Sequence, residues 1–417
     1  MEKRNGMRPA GFILAFGVVS MLVDIVYEGA LAVQGPLLAS LGASAALVGV
    51  VSGLGEATSL AGRLFSGPAA DKTGRYWVFA IAGYATTILA VPTMGFVGSV
   101  IGVSILVVVE RFGKSLRTPS RDAMLSHAAA AVGRGRGFAI HEMLDQVGAV
   151  AGPLIVSFIL TVTNNSYGPA LGVLVIPGLM ALCILFTLKR KVPDARVFED
   201  DASETEKSPS TEPATQDVQA NPSENGHAVV TASGKLKLPG TFWAYTIFCG
   251  LALAGVGTFG VMSYHMITTG LVADATVPIL YAIAMAVDAV FALVTGSLYD
   301  KISTKALYFL PVVSALIPCF MYTWNLSSMI TGVVLWGAGM GIQESTMRAA
   351  VADMVPSHKR ATAYGYFSVA VGVGALVGAS IAGFLYDANP TYIMYYSVAM
   401  ECVAFALLFV IRRTRKA

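Results

Sequence analysis

Long apolar runs separated by short polar connections dominate this chain. Each run is about 20 residues long, which is enough to cross a bilayer as a helix and too long for a barrel strand. The pattern predicts an all-α membrane protein with twelve transmembrane helices. We expect these helices near residues 11–34, 44–67, 77–97, 99–121, 137–162, 169–188, 241–267, 275–298, 305–324, 328–352, 361–386 and 391–411.

The apolar pattern occurs twice along the chain. A segment that begins at Gly67 is repeated in part from Gly296, at an offset of 229 residues. A second repeat, at an offset of 226, places Arg134, Gly148 and Gly152 on Arg360, Gly374 and Gly378. Duplicated membrane segments are typical of secondary transporters, in which two halves rock about a central site. The sequence therefore predicts two pseudo-symmetric six-helix halves, residues 1–191 and 239–417.

The connection between these halves, residues 192–238, has a different composition. It is rich in Ser, Pro, Asn, Thr and acidic residues, and residues 199–224 contain eight acids and one Lys. Such a segment buries too little apolar surface to fold. We expect a flexible cytoplasmic tether without a fold of its own.

Composition and charge agree with a membrane protein. The chain has 55% hydrophobic and 13% charged residues and a mean hydropathy of +0.67, whereas soluble domains contain about 25% charged residues. Lys and Arg gather at both termini and in alternate connections, and cytoplasmic loops carry such an excess. We expect a multi-pass plasma (inner) membrane protein with both termini cytoplasmic. The net charge of +3 follows this topology, so we predict no nucleic-acid partner.

Ionisable residues within the predicted spans are the candidates for function. A charge at the bilayer centre costs about 2.5–3.5 kcal/mol on insertion scales, so such residues should face partners, water or substrate. Glu401 also lies in a span, but we expect it to be structural. The candidates for substrate or proton binding are Asp24, Glu28, Glu56, Arg111, Asp145, Asp288 and Glu344.

Asp24 and Glu28 predict a scheme for coupling transport to protons. They are four residues apart, so both carboxyls lie on one helical face, and like charges this close resist joint ionisation. One proton shared by the pair and exchanged for a cationic substrate is the simplest scheme. Arg111 is the expected counter-charge when no substrate is bound. A permanent charge network that fixes helix register is the structural alternative.

Three motifs resemble those of the major facilitator superfamily. Its Gly-x-x-x-Asp-Arg/Lys-x-Gly-Arg loop is matched by Gly67, Asp71, Lys72, Gly74 and Arg75, and the second copy keeps Gly296, Asp300 and Lys301. Arg111 resembles the superfamily's intramembrane arginine. Its antiporter-associated glycine-proline motif is matched by Gly148, Gly152 and Pro153. The resemblance implies a fold of two six-helix bundles, and it covers nearly the whole chain.

The loop motif predicts a latch that holds the cytoplasmic side shut in the outward-facing state. Gly74 permits a tight turn, and Asp71 can cap the end of a facing helix. We expect Arg117 and Arg121 to take part in this gate with Glu142, and Asp300 to serve in the second copy, while the role of Asp145 stays open. A turn without gating duty is the alternative.

These features predict a monomeric, alternating-access transporter that exports a small cationic or amphipathic compound in exchange for protons. Three alternatives stay open: transport of a metal cation, uptake of an organic anion bound by Arg111, and a non-transporting receptor or scaffold. Ser/His/Asp sets, nucleotide loops and metal-ligand spacings are missing from the sequence, so we predict neither an enzyme nor a metal site. The expected partners are a small molecule or ion and the lipid bilayer, with a proton gradient in place of a cofactor.

Overall fold

A computed structural model describes residues 7–198, 238–356 and 360–414, and these residues form helices without β-strands. We call residues 7–198 the N part and residues 238–356 with 360–414 the C part. The helices of the N part are α1 (Pro9–Ser40), α2 (Ala45–Ala61), α3 (Arg63–Thr73), α4 (Tyr76–Met94), α5 (Val100–Ala130), α6 (Arg134–Val162), α7 (Tyr167–Gly172) and α8 (Val175–Lys191). Those of the C part are α9 (Gly240–Val256), α10 (Phe259–Thr268), α11 (Val277–Ile302), α12 (Phe309–Met321), α13 (Leu326–Met354), α14 (Arg360–Ala388) and α15 (Thr391–Thr414), with short 3-10 turns at Asp274–Thr276 and Ser303–Tyr308.

Ten ranges within the described residues are long and apolar enough to cross a membrane. One of them, Asp274–Met321, contains both α11 and α12. The helix α5 is not among the ten, because it carries too many charged residues to pass as an apolar span. The membrane character is therefore confirmed, whereas the count of twelve spans stays a prediction.

Glycine pairs bring helices into close contact in both parts. In the N part, a side chain at Gly148 or Gly152 would collide with the backbone of α1 at Met21 and Ile25. In the C part, Gly374 and Gly378 on α14 press in the same way on Gly250 and Ala254 of α9. Because small residues permit such approach, the sequence repeat corresponds to a repeated helix–helix contact.

The most extensive contacts between the two parts are made by three pairs of helices. The helix α2 packs on α14, α6 packs on α11, and α1 packs on α10. Glycines again set the spacing, since Gly49 and Gly53 of α2 lie against the backbone of α14 at Ala379 and Leu376. The space between the parts is therefore narrow where these glycines lie.

The start of the predicted tether packs on the N part. Val192, Ala195 and Phe198 are buried in the core formed by Phe12 and its neighbours, and Trp77 donates a hydrogen bond to the Val192 carbonyl at 3.1 Å. The N part thus extends at least to residue 198. Residues 199–237, which make up most of the predicted tether, lie outside the described residues.

The second glycine position of the repeated loop motif has a positive φ in both copies. Gly74 follows α3 with φ 64° and ψ 10°, a left-handed conformation that suits its predicted role in a tight turn. The corresponding residue of the second copy, Ser303, has φ 51° and ψ −139°, so the backbone turns differently there. Residues other than glycine adopt this region at a cost of about 1–3 kcal/mol. The second copy therefore keeps the positive φ, but not the same turn, after losing the glycine.

Replacement of Ser303 by Gly should relieve this strain. We expect Ser303→Gly to be more stable than Ser303→Ala by about 1 kcal/mol, because alanine keeps the Cβ that is unfavourable at positive φ. Thermal unfolding of both purified variants in the same detergent measures the difference. A Ser303→Gly protein that unfolds no later than Ser303→Ala would contradict the proposed strain.

Candidate functional site

Helix α5 carries a ladder of positive charge through the N part. Arg111, Lys114, Arg117 and Arg121 are spaced three or four residues apart, so they share one helical face. Arg111 and Arg117 are each 2% exposed. Cations in an apolar interior need carboxylates or aromatic rings nearby, and the neighbouring helices provide both.

Three of these cations have carboxylate partners. Arg111 Nη1 lies 3.2 Å from Glu56 Oε1 of α2, and its Nε lies 3.6 Å from the buried Glu110. Arg117 Nη2 lies 3.7 Å from Asp24 Oδ1 of α1. Arg121 contacts Asp122 at 2.9 Å and Asp145 of α6 at 3.5 Å. The ladder therefore ties α1, α2 and α6 to α5.

These partners differ in part from those expected from the sequence. Arg111 was predicted to be the counter-charge of Asp24 and Glu28 when no substrate is bound, but in this structure it pairs with Glu56, and Arg117 pairs with Asp24. Arg121 pairs with Asp145, and its role in a gate with Glu142 stays a prediction. The counter-charge was assigned from the sign of the charges, whereas helix packing determines which charged groups meet.

Tyr27 lies at the centre of the ladder. Arg111 Cζ and Lys114 Nζ lie 4.6 Å and 3.9 Å from the centroid of its ring. Lys114 forms no ion pair within 4 Å with a described residue, although Asp24 and Glu28 are within electrostatic reach. Among the four cations of the ladder, Lys114 therefore differs from the arginines: it lies over an aromatic ring and has no carboxylate in ion-pair contact.

Glu28, within α1, joins the two parts by a hydrogen bond. The Tyr281 hydroxyl of α11 donates a 2.6 Å hydrogen bond to Glu28 Oε2 of α1. Tyr281 in turn packs on Phe259 and Trp336, with ring centroids 4.6 Å and 6.0 Å away. A carboxylate of the N part therefore has its hydrogen-bond partner in the C part.

Two further carboxylates of the C part lie close to this contact. Asp288 is 3% exposed, and its Oδ1 has no hydrogen-bond partner in the described structure; Gln146 of α6 lies beside it. Glu344 of α13 is exposed, and Glu28 and Asp288 are within its electrostatic reach. Glu344 and Arg348 are four residues apart on α13, but no ion pair within 4 Å joins these two described residues. The space between the parts is accordingly lined by acids from both sides.

His141, Glu142 and Asp145 approach one another closely enough to hold a metal ion. However, His141 Nε2 lies 2.8 Å from the Ser20 hydroxyl, and its Nδ1 lies 3.4 Å from Asp145 Oδ2. Asp145 also pairs with Arg121. Because both ring nitrogens of His141 already have partners, this cluster is better explained as an internal network than as a metal centre.

One face of the protein is sealed by contacts between the parts. We call it the distal face; it contains the turns at residues 41–44 and 388–391. Asp387 at the end of α14 accepts hydrogen bonds of 3.0 Å from the backbone N–H groups of both Ala45 and Ala46, at the start of α2. Tyr167 donates to Asp274 at 2.6 Å, and Ser157 donates to the Ala275 carbonyl at 2.6 Å.

The opposite face carries the loop motif, and we call it the motif face. Here Asp71, Lys72, Gly74, Arg75 and Asp300 are exposed. Asp71 Oδ1 accepts a 3.0 Å hydrogen bond from the Tyr76 hydroxyl, which belongs to the same part. Over residues 7–198, 238–356 and 360–414, no hydrogen bond or ion pair between side chains joins the parts on this face. A Cβ at Gly67 would lie 3.6 Å from Pro119, which is an ordinary van der Waals distance.

The sequence did not identify several residues of this site. Glu110 and Lys114 are charged residues in an apolar run, which is a signal in the sequence. The three-residue spacing of Lys114 from Arg111 and Arg117 is the signal for the ladder. Tyr281 and Asp387 carried no such signal, because an aromatic residue in a span and an acid at its end are both common. Their roles depend on contacts between residues hundreds of positions apart.

Comparison with known proteins agrees with this architecture. A profile of the Major Facilitator Superfamily matches residues 13–324 and 268–417. An uncharacterised protein of Mycobacterium tuberculosis is 45% identical over 100% of this chain and 98% of its own length. An uncharacterised transporter of this superfamily type from Methanocaldococcus jannaschii is 24% identical, over 96% of this chain and 94% of its own.

Two further matches are more distant. The quinolone resistance protein NorA of Staphylococcus aureus is 26% identical over 28% of this chain and 30% of its own. The solved structure of a bacterial homologue of the human lysosomal transporter Spinster has a TM-score of 0.71 at 16% identity, with 97% of each chain covered. Fold and charged interior define a multi-pass membrane transporter. The chain belongs to the major facilitator superfamily.

Loss of the Asp387 carboxylate should open the distal face. Removal of a helix cap costs about 1 kcal/mol, which corresponds to about a fivefold change in the ratio of closed to open forms. We therefore expect Asp387→Ala to populate longer distances across this face. The measurement is double electron–electron resonance between spin labels at Gly98 and Asn389, in a protein without its native cysteines, which are Cys183, Cys249, Cys319 and Cys402.

The matched control for this experiment is Asp353→Ala. Asp353 accepts a 2.7 Å hydrogen bond from Tyr299 within the C part, so its loss removes a carboxylate without touching the seal. Distance distributions that are the same for Asp387→Ala and the parent protein would show that this cap does not hold the distal face closed.

Proposed function

We propose that this protein is a proton-coupled secondary transporter that exports a small cationic or amphipathic compound by alternating access. The carrying observation is the 2.6 Å hydrogen bond between Glu28 of the N part and Tyr281 of the C part. Movement of the two parts breaks or forms this bond. The proton occupancy of Glu28 therefore depends on conformation, which is the requirement for coupling.

The balance of charge between the parts supports a cationic cargo. Arg111, Arg117 and Arg121 are largely neutralised within the N part by Glu56, Asp24 and Asp145. The acids left beside the interface are Glu28, Asp288 and Glu344. Lys114 is the cation within electrostatic reach of Glu28, and Arg348 and Lys114 are both within reach of Glu344. The cleft consequently keeps an excess of carboxylates, and the neighbouring rings of Tyr27, Phe259 and Trp336 offer faces for an amphipathic body.

The sealed distal face and the unlinked motif face support alternating access. Lys and Arg are concentrated in the connections of the motif face, which the positive-inside rule assigns to the cytoplasm. On this assignment, we take the structure to represent an inward-facing state. Asp71 and Arg75 would then engage the C part only after the cytoplasmic side closes, in line with the proposed latch. Export is supported by the Gly148, Gly152 and Pro153 motif and by the partial similarity to NorA.

Glu28→Gln and Tyr281→Phe should both reduce proton-coupled transport by at least about tenfold. The amide cannot exchange a proton, and phenylalanine removes the hydroxyl that links Glu28 to the C part. The measurement is counterflow of protons and tetraphenylphosphonium, a lipophilic organic cation, in proteoliposomes with an imposed pH gradient. Asp24→Asn should have the same effect, because Asp24 lies one turn from Glu28 on α1.

Tyr245→Phe is the matched control, because the Tyr245 hydroxyl donates to the Met347 carbonyl inside the C part. This variant should retain transport. Proton flux that is equally strong in Glu28→Gln and in the parent protein would remove Glu28 from coupling. If the parent protein transported the cation at the same rate with and without the pH gradient, proton exchange would be excluded.

Uptake of an organic anion is the second candidate, and Lys114 is the observation that favours it. This cation lies over Tyr27 without an ion pair among the described residues, so a carboxylate on the cargo could occupy the position that a protein acid leaves open. Radiolabelled benzoate in the same vesicles separates the two functions. Accumulation of benzoate that is lost in Lys114→Met would favour the anion, whereas movement of tetraphenylphosphonium alone would favour the cation.

A further inference from the structure

Glu401, in the middle of α15, is a deeply buried carboxylate. Its side chain is 1% exposed, and neither Oε1 nor Oε2 has a hydrogen-bond partner in the part of the chain that the structure describes. An isolated carboxylate in an apolar interior is costly unless it binds a proton or a cation. Glu401 lies against α9 within the C part, so it does not belong to the cleft between the parts.

The helix that faces Glu401 is broken. Helix α9 ends at Val256, Gly257 has φ 75°, and α10 begins at Phe259. Among the described residues, no backbone N–H group from beyond the helix bonds to the carbonyls of residues 253–256. These carbonyls form the negative end of the α9 dipole. The Thr258 hydroxyl, within the break, is also buried without a hydrogen-bond partner.

Glu401 approaches the break at Gly255, two residues before Gly257. A Cβ at Gly255 would lie 3.0 Å from the Glu401 carboxyl carbon and would collide with Oε1. The missing side chain therefore provides the space that this carboxylate occupies. A negative side chain and the negative end of a helix repel each other, so their approach requires a positive charge or a proton between them.

We propose that Glu401, the Thr258 hydroxyl and the free carbonyls at the end of α9 bind a sodium ion. A small hard cation prefers oxygen ligands of these kinds, and the C-terminal ends of broken transmembrane helices are established positions for sodium in transporters. The ion neutralises the buried carboxylate and at the same time satisfies carbonyls that the helix leaves unpaired. The site is independent of the cargo and of proton exchange at Glu28.

Sodium at this position has a structural consequence for the distal face. The helix α10 carries Gly260, which packs against Gly35 of α1 and Ser52 of α2 in the N part. An ion that fixes the junction of α9 and α10 holds Gly260 in this position. Sodium should therefore stabilise the form in which the distal face is closed.

The test is thermal unfolding of the purified protein in sodium chloride and in potassium chloride, at equal ionic strength and fixed pH. We expect sodium to raise the unfolding temperature by about 2–5 °C, because it binds the folded form alone. This increase should be absent in Glu401→Gln.

Glu110→Gln is the matched control; it changes another buried glutamate in the opposite part and should retain the response to sodium. Tyr396 is the titratable neighbour that the structure places near Glu401, and the fixed pH keeps it constant.

Direct binding of radioactive sodium-22 to the parent protein provides a second measurement that does not depend on the folding of Glu401→Gln. We expect saturable binding that potassium does not displace, and an affinity about tenfold weaker in Thr258→Val. Equal stabilisation by sodium and potassium, or a sodium response that survives in Glu401→Gln, would overturn the site. Stabilisation by acidic pH without any sodium effect would also overturn it, since Glu401 would then hold only a proton. None of these results bears on transport through Glu28, so the two proposals fail separately.

Discussion

Charge placed inside an apolar bundle is the constraint on which this structure depends. An ion removed from water must find an opposite charge, a polar group or an aromatic face, because the penalty for leaving it alone is several kcal/mol. The three arginines of the ladder on α5 satisfy this demand with carboxylates from three other helices, and Lys114 does so with the ring of Tyr27. The register of α1, α2 and α6 against α5 follows from these pairs, and any shift by one turn would leave several charges unpaired at once.

The same constraint is met differently in the two parts. Most charges of the ladder are paired within the N part, which favours a stable scaffold, although Asp145 Oδ1 also has no hydrogen-bond partner in the described structure. The acids of the C part, Asp288 and Glu401, keep oxygen atoms without partners in the described structure. A buried carboxylate without a partner is a position where binding of a proton, an ion or a cargo lowers the free energy. The chemistry of transport is therefore best sought where the pairing of charge is incomplete.

Close helix contacts make movement between the parts possible at low cost. Glycines hold α6 to α1 and α14 to α9 inside the parts, and other glycines set the contacts of α2 with α14 and of α1 with α10 between them. The bonds that cross between the parts are few, and each contributes about 1 kcal/mol net. A seal of this strength is reversible, so binding of a ligand or proton with a few kcal/mol of preference can shift the population.

The sequence by itself determined the membrane class, the positions of the long helices and the repeated glycines, because apolar length and small residues act locally along the chain. It also located most of the buried acids, and Gly74 was correctly predicted to form a tight turn. Only the tertiary structure decided which charges are partners: Arg111 with Glu56, Arg117 with Asp24, Glu28 with Tyr281 and Asp387 with the start of α2. Ion pairs and caps form between helices that are distant in sequence, and their geometry is fixed by packing angles and registers that no local pattern contains.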